Sequence, residues 1–308
     1  MNSPLVSVGL PLALAVIMFG LGLSLTVADF TRIAKSPRIV AIALLCQVVA
    51  LPIVAFGLVL LFDLPAILAV GMMLLASSPG GTTANLFSHL FRGDVALNVS
   101  LTAVNSVIAV VTVPLVTNFA IGYFDPAEGG DSLGLQFGKV LQVFAIVLVP
   151  VAIGMLVRRA SAAFADRMDR PVRIGSAVTL LLVILGTVAT EADTLTDSFV
   201  QVGGITAVFC ALSLTVGYFL PRLLGVPDRQ SIACSMEVGI HNSTIAITIA
   251  VSVLDSTEMA VPAAIYGMLM FPLAAAFGFL ITRGPTRATV AATEEFAGGQ
   301  PRNTGLTS

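Results

Sequence analysis

Ser77-Ser78-Pro79-Gly80-Gly81-Thr82-Thr83-Ala84-Asn85 interrupts an apolar stretch about long enough to cross a bilayer. Met236-Glu237-Val238-Gly239-Ile240-His241-Asn242-Ser243-Thr244 interrupts a second one. A break at that depth frees backbone amides and carbonyls that lipid cannot satisfy. It survives only where it lines a cavity or a binding site. Two such breaks in opposite halves of one chain predict the discontinuous helices of a secondary transporter.

Composition agrees. Of the 308 residues, 57% are hydrophobic and 10% charged, against roughly 25% charged in a soluble domain. Trp is absent, and 18 Phe outnumber 3 Tyr, so the interfacial aromatic belt is thin. A net charge of −2 with no basic arm gives nucleic acid nothing to hold. Cys46, Cys210 and Cys234 all fall in apolar spans and read as buried thiols rather than a disulfide framework. Residues 1–27 lack a positive leading segment and a clear small-residue cleavage site, and read as a mature helix.

Hydropathy predicts an all-α integral membrane protein with nine transmembrane helices, at about 5–27, 38–62, 66–90, 95–122, 136–157, 174–190, 199–221, 230–253 and 259–282. Short linkers make residues 1–283 a single transmembrane domain. The polar, Gly-, Thr- and Ala-rich stretch 284–308 reads as a disordered cytoplasmic tail. Arg32, Lys35, Arg38, Arg92, Arg158, Arg159, Arg167, Arg170, Arg173, Arg222, Arg229, Arg283, Arg287 and Arg302 all fall on one side of that topology, leaving Lys139 alone on the other. Basic loops mark the cytoplasmic face, so the N-terminus is expected outside and the C-terminus inside. The two broken spans then run antiparallel, the mark of an inverted-topology repeat with crossing discontinuous helices and alternating access.

Glu237 is the one carboxylate well inside a span. An ionised group near the bilayer centre costs about 2.5–3.5 kcal/mol on insertion scales and so requires a partner or a function. No Lys or Arg lies at its depth apart from Lys139 near one edge. A bound monovalent cation would supply the missing charge, and hard alkali ions take oxygen ligands. Asn85, Gln47 and the i, i+4, i+7 stripe of Asn98, Thr102 and Asn105 are the candidates. Each of these taken singly is equally a hydrogen bond between helices.

The half-helix starting after Gly81 presents free amides and a positive dipole end to an anion. Thr82 and Thr83 add hydroxyls there, and Asn242, Ser243 and Thr244 do so at the second break. Neither break holds an Arg, which favours a monocarboxylate over a polyanion. His241 reads three ways: a structural group, a weak ligand, or a proton carrier.

Three rivals have their own signatures. A proton-coupled organic anion carrier would exchange protons between Glu237 and His241. An arsenite-type efflux permease would place a Cys at a break, whereas Cys46 and Cys234 lie outside both motifs. An intramembrane enzyme would need a His-Glu-x-x-His pair, a Gly-x-Ser-x-Gly elbow or an Asp pair within the membrane, and the chain has none of these.

At these residues the chain resembles the bile acid:sodium symporter family, particularly its bacterial members. The likeness covers nearly all of 1–285. It is clearest in Met18-Phe19-Gly20-Leu21-Gly22-Leu23, in Pro79-Gly80-Gly81-Thr82-Thr83-Ala84-Asn85 through Gly93-Asp94-Val95-Ala96-Leu97, and in Glu237-Val238-Gly239-Ile240-His241-Asn242. The resemblance implies a core domain holding the crossed helices, a smaller panel domain, and the nine-span form of the fold. It implies a first sodium site at Asn85, Asn98, Thr102 and Glu237. A second would use Gln47, Glu237, the carbonyls of Val238 and Ile240, and His241. It also turns Thr82 and Asn242 toward substrate. The chain departs from the family pattern at Ala84 and Asn98, where Ser is usual, and at His241, where Gln is usual; an imidazole is a poorer alkali-ion ligand than an amide oxygen. The implied protein is a sodium-coupled organic anion symporter of the bacterial inner membrane. Its expected partners are the anion, sodium and the lipid bilayer, with no other cofactor, no nucleic acid and no obligate protein partner.

Overall fold

The computed structural model describes residues 36–81, 83–126, 137–168 and 192–283, with isolated helical positions at 15–16, 19–20, 22–23, 171 and 174–175. Of residues 137–148, 192–201 and 252 only the backbone is described. The expected spans 5–27 and 174–190, and the tail 284–308, therefore lie largely or wholly outside the described residues.

Helix α1 (Pro37–Leu45) opens with proline at its first position, where no amide is needed. It passes through a π-turn (Cys46–Ala50) into α2 (Leu51–Leu61), with the Leu51 amide reaching back to the Cys46 carbonyl. Pro52 has no N–H to offer Val48, and the wider turn absorbs that lost hydrogen bond while holding Gln47 inside the bundle. α3 (Ala66–Ser77) stops at the first break, and α4 (Thr83–Leu90) resumes beyond it. α5 (Val95–Phe124) follows, its first turn capped by the Asp94 carboxylate, which accepts from the Leu97 amide at 3.0 Å.

Next come α6 (Phe137–Ala160), α7 (Ala192–Leu223) and α8 (Asp228–Gly239). After the second break come α9 (Ser243–Ser252), a 3₁₀ turn (Glu258–Ala260) and α10 (Val261–Thr282). Helix α7 is helical from Ala192, ahead of the apolar stretch Val202–Leu223, because its first turns are too polar to count as membrane span. Among the described residues four stretches are long and apolar enough to cross a membrane: Pro37–Leu61, Val95–Phe124, Val202–Leu223 and Glu258–Thr282.

The bundle buries polar side chains within its apolar core and leaves large apolar side chains exposed. Asn98, Ser100, Thr102, Asn105 and Ser106 on α5 are buried, while Ile53, Leu115, Met268 and Leu280 are exposed. Exposed apolar side chains of this kind suit lipid, and the buried polar groups suit contacts between helices. Helix α7 packs along α8 and α10, and α3 along α5.

The charge asymmetry of the sequence becomes two ends of the bundle. Arg38 Nη2 donates to the Leu224 carbonyl at 2.8 Å, and the Asp94 amide to the Arg229 carbonyl at 2.9 Å. The Phe91 ring meets Phe279 edge-on at 5.3 Å. These contacts gather the starts of α1, α5 and α8 and the ends of α4, α7 and α10, and with them Arg38, Arg92, Arg222, Arg229 and Arg283. At the far end, Phe56 near the end of α2 packs on Phe124 at the end of α5, with ring centroids 5.7 Å apart. Asp63 and Asp125 close those two helices in left-handed conformations, φ 48° and 40°.

Candidate functional site

The two breaks meet. Between them runs a short antiparallel bridge pairing Gly80 with His241. The Gly81 amide donates to the Ile240 carbonyl at 2.7 Å, and the Asn242 amide to the Pro79 carbonyl at 2.8 Å. Each break thus satisfies backbone groups that the other leaves open. The chain needs glycine here for space: a Cβ on Gly80 would overlap the Glu237 carboxylate.

Glu237, on the last turns of α8, is fully buried. Its Oε2 accepts from Asn98 Nδ2 at 2.7 Å and from Thr102 Oγ1 at 2.6 Å, and its Oε1 accepts from Asn105 Nδ2 at 2.9 Å. All three donors sit on one face of α5, as the i, i+4, i+7 spacing predicts. All three are neutral, so the hydrogen bonds hold the carboxylate without balancing it. The carbonyl oxygens Asn98 Oδ1 and Asn105 Oδ1 are buried without partners, as is Asn85 Oδ1 on α4. Unpartnered buried oxygens of this kind want a donor or a cation. Among the described residues no three His, Cys, Asp or Glu side chains come together for a metal. What the site offers is amide, hydroxyl and carboxylate oxygen, the donor set of a hard alkali ion.

A second group gathers at the first break. The Ser78 carbonyl accepts from Gln47 Nε2 at 2.8 Å and lies 3.3 Å from His241 Nδ1. Gln47 Oε1 and His241 Nε2 are buried and unpartnered. The His241 ring stacks on Phe209 with centroids 5.4 Å apart and meets Tyr266 edge-on at 5.3 Å. Tyr266 in turn donates to the Gly239 carbonyl at 2.8 Å. Of the groups implied for a second ion, Gln47 gives its nitrogen to Ser78 and keeps its oxygen free, and Ile240 accepts from the Gly81 amide with its carbonyl. Val238 is buried one residue past Glu237.

Of the residues expected to face an anion, Asn242 caps α9 with its own side chain, Oδ1 accepting from the Ile245 amide at 3.2 Å. Ser243 is buried with its hydroxyl unpartnered, and Thr83 is exposed at the start of α4. Thr82 lies outside the described residues. His89 is exposed, and the three cysteines are free and buried. Pattern reading missed Phe209 and Tyr266 around His241, and the Ser78 carbonyl shared by Gln47 and His241. Only the π-turn had a signal, in the proline five residues beyond Gln47.

Residues 11–198 match the model of the sodium bile acid symporter family. The chain is 28% identical over 255 residues, 83% of its length, to the uncharacterized sodium-dependent transporter YocS of Bacillus subtilis, spanning 77% of that protein. It is 31% identical over 249 residues, 80% of its length, to a protein of Oryza sativa subsp. japonica named "Probable sodium/metabolite cotransporter BASS1, chloroplastic", and spans only 59% of it. To the human ileal sodium/bile acid cotransporter it is 26% identical over 80% of its length and 70% of the other's. These relatives are named as transporters, not enzymes. The family match takes in the first break and the polar face of α5 that holds Glu237, and the chain belongs to the sodium bile acid symporter family.

Proposed function

We propose that the chain is a secondary active symporter that carries an organic monocarboxylate, bile-acid-like or a small hydroxy acid, across the membrane together with sodium. The observation that carries this reading is Glu237, buried at the crossing of two broken helices and bonded only to neutral donors. A sodium ion drawing on Asn85, Asn98, Thr102 and Glu237 would balance the carboxylate and tie α4, α5 and α8 together. The names of the relatives, with sodium paired to bile acids or to metabolites, support the same pairing.

The anion belongs at the amide-rich starts of α4 and α9, where the helix dipoles are positive. There Thr82, Thr83, Asn242 and Ser243 supply polar contacts. Nine spans in an inverted repeat, with core and panel domains, give the alternating-access frame. The basic end faces the cytoplasm of a bacterial inner membrane and the N-terminus lies outside. An inside-negative potential then adds about 2.3 kcal/mol per net positive charge per 100 mV to uptake.

The test is uptake of radiolabelled cholate and pantoate into proteoliposomes. Uptake of at least one should require a sodium gradient. Uptake that survives replacement of sodium by potassium at fixed pH, or that a pH gradient alone drives, would transfer the coupling to protons.

A further inference from the structure

The second break leaves one carbonyl that the first break does not meet. In an unbroken helix the Gly239 carbonyl would accept from the amide four residues on, at Ser243. That amide donates instead to the His241 carbonyl at 3.1 Å. The Ile240 carbonyl, one place further, is met by Gly81 from the first break. Gly239 is met from outside the crossing: Tyr266 on α10 donates its hydroxyl to that carbonyl at 2.8 Å. Left without a partner at this depth, the carbonyl would be costly.

Tyr266 is built into its place. It is fully buried, and its ring meets His241 edge-on at 5.3 Å and Phe209 at 5.8 Å, so two further rings fix its direction. Cys210 reaches the same carbonyl only with sulfur, at 3.9 Å, and a thiol is a weak donor. On another flank Gly239 presses against α7, where a Cβ would overlap the Leu214 side chain. The next residue of α10, Gly267, lies against the far side of the break, where a Cβ would come within 3.3 Å of the Ser243 side chain. Two consecutive residues of α10 thus touch the end of α8 and the start of α9. Glu237 precedes the held carbonyl on the last turns of α8, and Asn242 and Ser243 follow it.

We propose that Tyr266 is a positioning residue for transport. Its hydroxyl, through the Gly239 carbonyl, fixes the angle between α8 and α9 and so keeps Glu237 seated on Asn98, Thr102 and Asn105. It acts on the carboxylate through the backbone. The proposal rests on the sodium-coupled reading above and adds to it the part played by α10.

Tyr266→Phe tests it, because the ring stays and only the hydroxyl goes. In the purified full chain the affinity for ²²Na⁺ should weaken about fivefold, the scale of one lost hydrogen bond. Amide exchange of the peptide 239–246, measured in KCl, should quicken about tenfold. Tyr266→p-aminophenylalanine, which returns a donor to the same ring position, should recover both. Gly71→Ala, which disturbs packing on the 3₁₀ turn, should lower thermal stability and leave sodium affinity unchanged, separating loss of stability from loss of position. A Tyr266→Phe protein with wild-type sodium affinity would overturn the proposal, whatever its melting temperature. A wild-type chain that binds no ²²Na⁺ would instead bring down the sodium reading itself. The exchange comparison then decides alone, and an unchanged rate at 239–246 would overturn the hold of Tyr266 on the break.

Discussion

Gly80 and Glu237 stand so close that no side chain fits between them: a Cβ on Gly80 would occupy the space of the carboxylate. The first break therefore does more than interrupt a helix. It brings bare backbone against the buried Glu237 carboxylate.

Gly80→Ala should consequently displace Glu237 from Asn98, Thr102 and Asn105. Overpacking of this kind costs about 1–3 kcal/mol. Sodium-dependent uptake should fall at least tenfold and the melting temperature should drop, as read by proteoliposome uptake and thermal denaturation in detergent. Unchanged uptake would mean that the carboxylate is free to move aside.

Glu237→Gln keeps the shape but swaps an acceptor for an amide in front of three donors. The protein should fold with modest loss, since a mismatched buried hydrogen bond costs about 1–3 kcal/mol. Its stabilisation by sodium over potassium should vanish. Melting curves in NaCl and KCl at equal ionic strength measure this directly.

His241→Gln replaces an aromatic ring between Phe209 and Tyr266 with a carboxamide whose NH2 can donate to the Ser78 carbonyl, leaving its oxygen free as a ligand. The variant should show a steeper sodium dependence of uptake than wild type, because an alkali ligand is restored. An unchanged slope would indicate that the ring matters only for packing.

Asn242→Ala separates architecture from recognition. Loss of its cap on α9 should cost about 0.5–2 kcal/mol of stability in the absence of any substrate. Ser243→Ala, whose hydroxyl has no partner in the protein, should leave stability nearly untouched while weakening carboxylate binding. Equal stability losses in the two variants would contradict this division.

Gly71→Ala tests the packing of α3 on the 3₁₀ turn, where a Cβ would run into the Met259 carbonyl. Because backbone cannot rotate away as a side chain can, the expected loss is about 1–3 kcal/mol. It should lower thermal stability without altering the ratio of uptake in sodium to uptake in potassium.

The breaks and the acid were legible because each violates a local rule. Pro79-Gly80-Gly81 cannot continue a membrane helix, and Glu237 cannot be left alone in lipid. The polar face of α5 was legible from helical period alone, and Asn98, Thr102 and Asn105 do converge on Glu237. The surroundings of His241 were not, because Phe209 and Tyr266 come from α7 and α10 and only packing brings them together. Helix α7 starts at Ala192, ahead of its apolar stretch Val202–Leu223, because hydropathy marks where a helix is apolar, not where its hydrogen bonding begins.

The reciprocal hydrogen bonds of Gly81 with Ile240 and of Asn242 with Pro79 join positions about half the chain apart in sequence. During synthesis the earlier break is made long before its complement exists. Until residue 240 emerges, its exposed amides and carbonyls have no protein partner and would be costly in hydrocarbon. Residues 66–90 should accordingly be held at the insertion machinery, or at the wet margin of the bilayer, and settle to full depth late. Truncated chains ending before the second break are expected to be prime targets for membrane quality-control proteases.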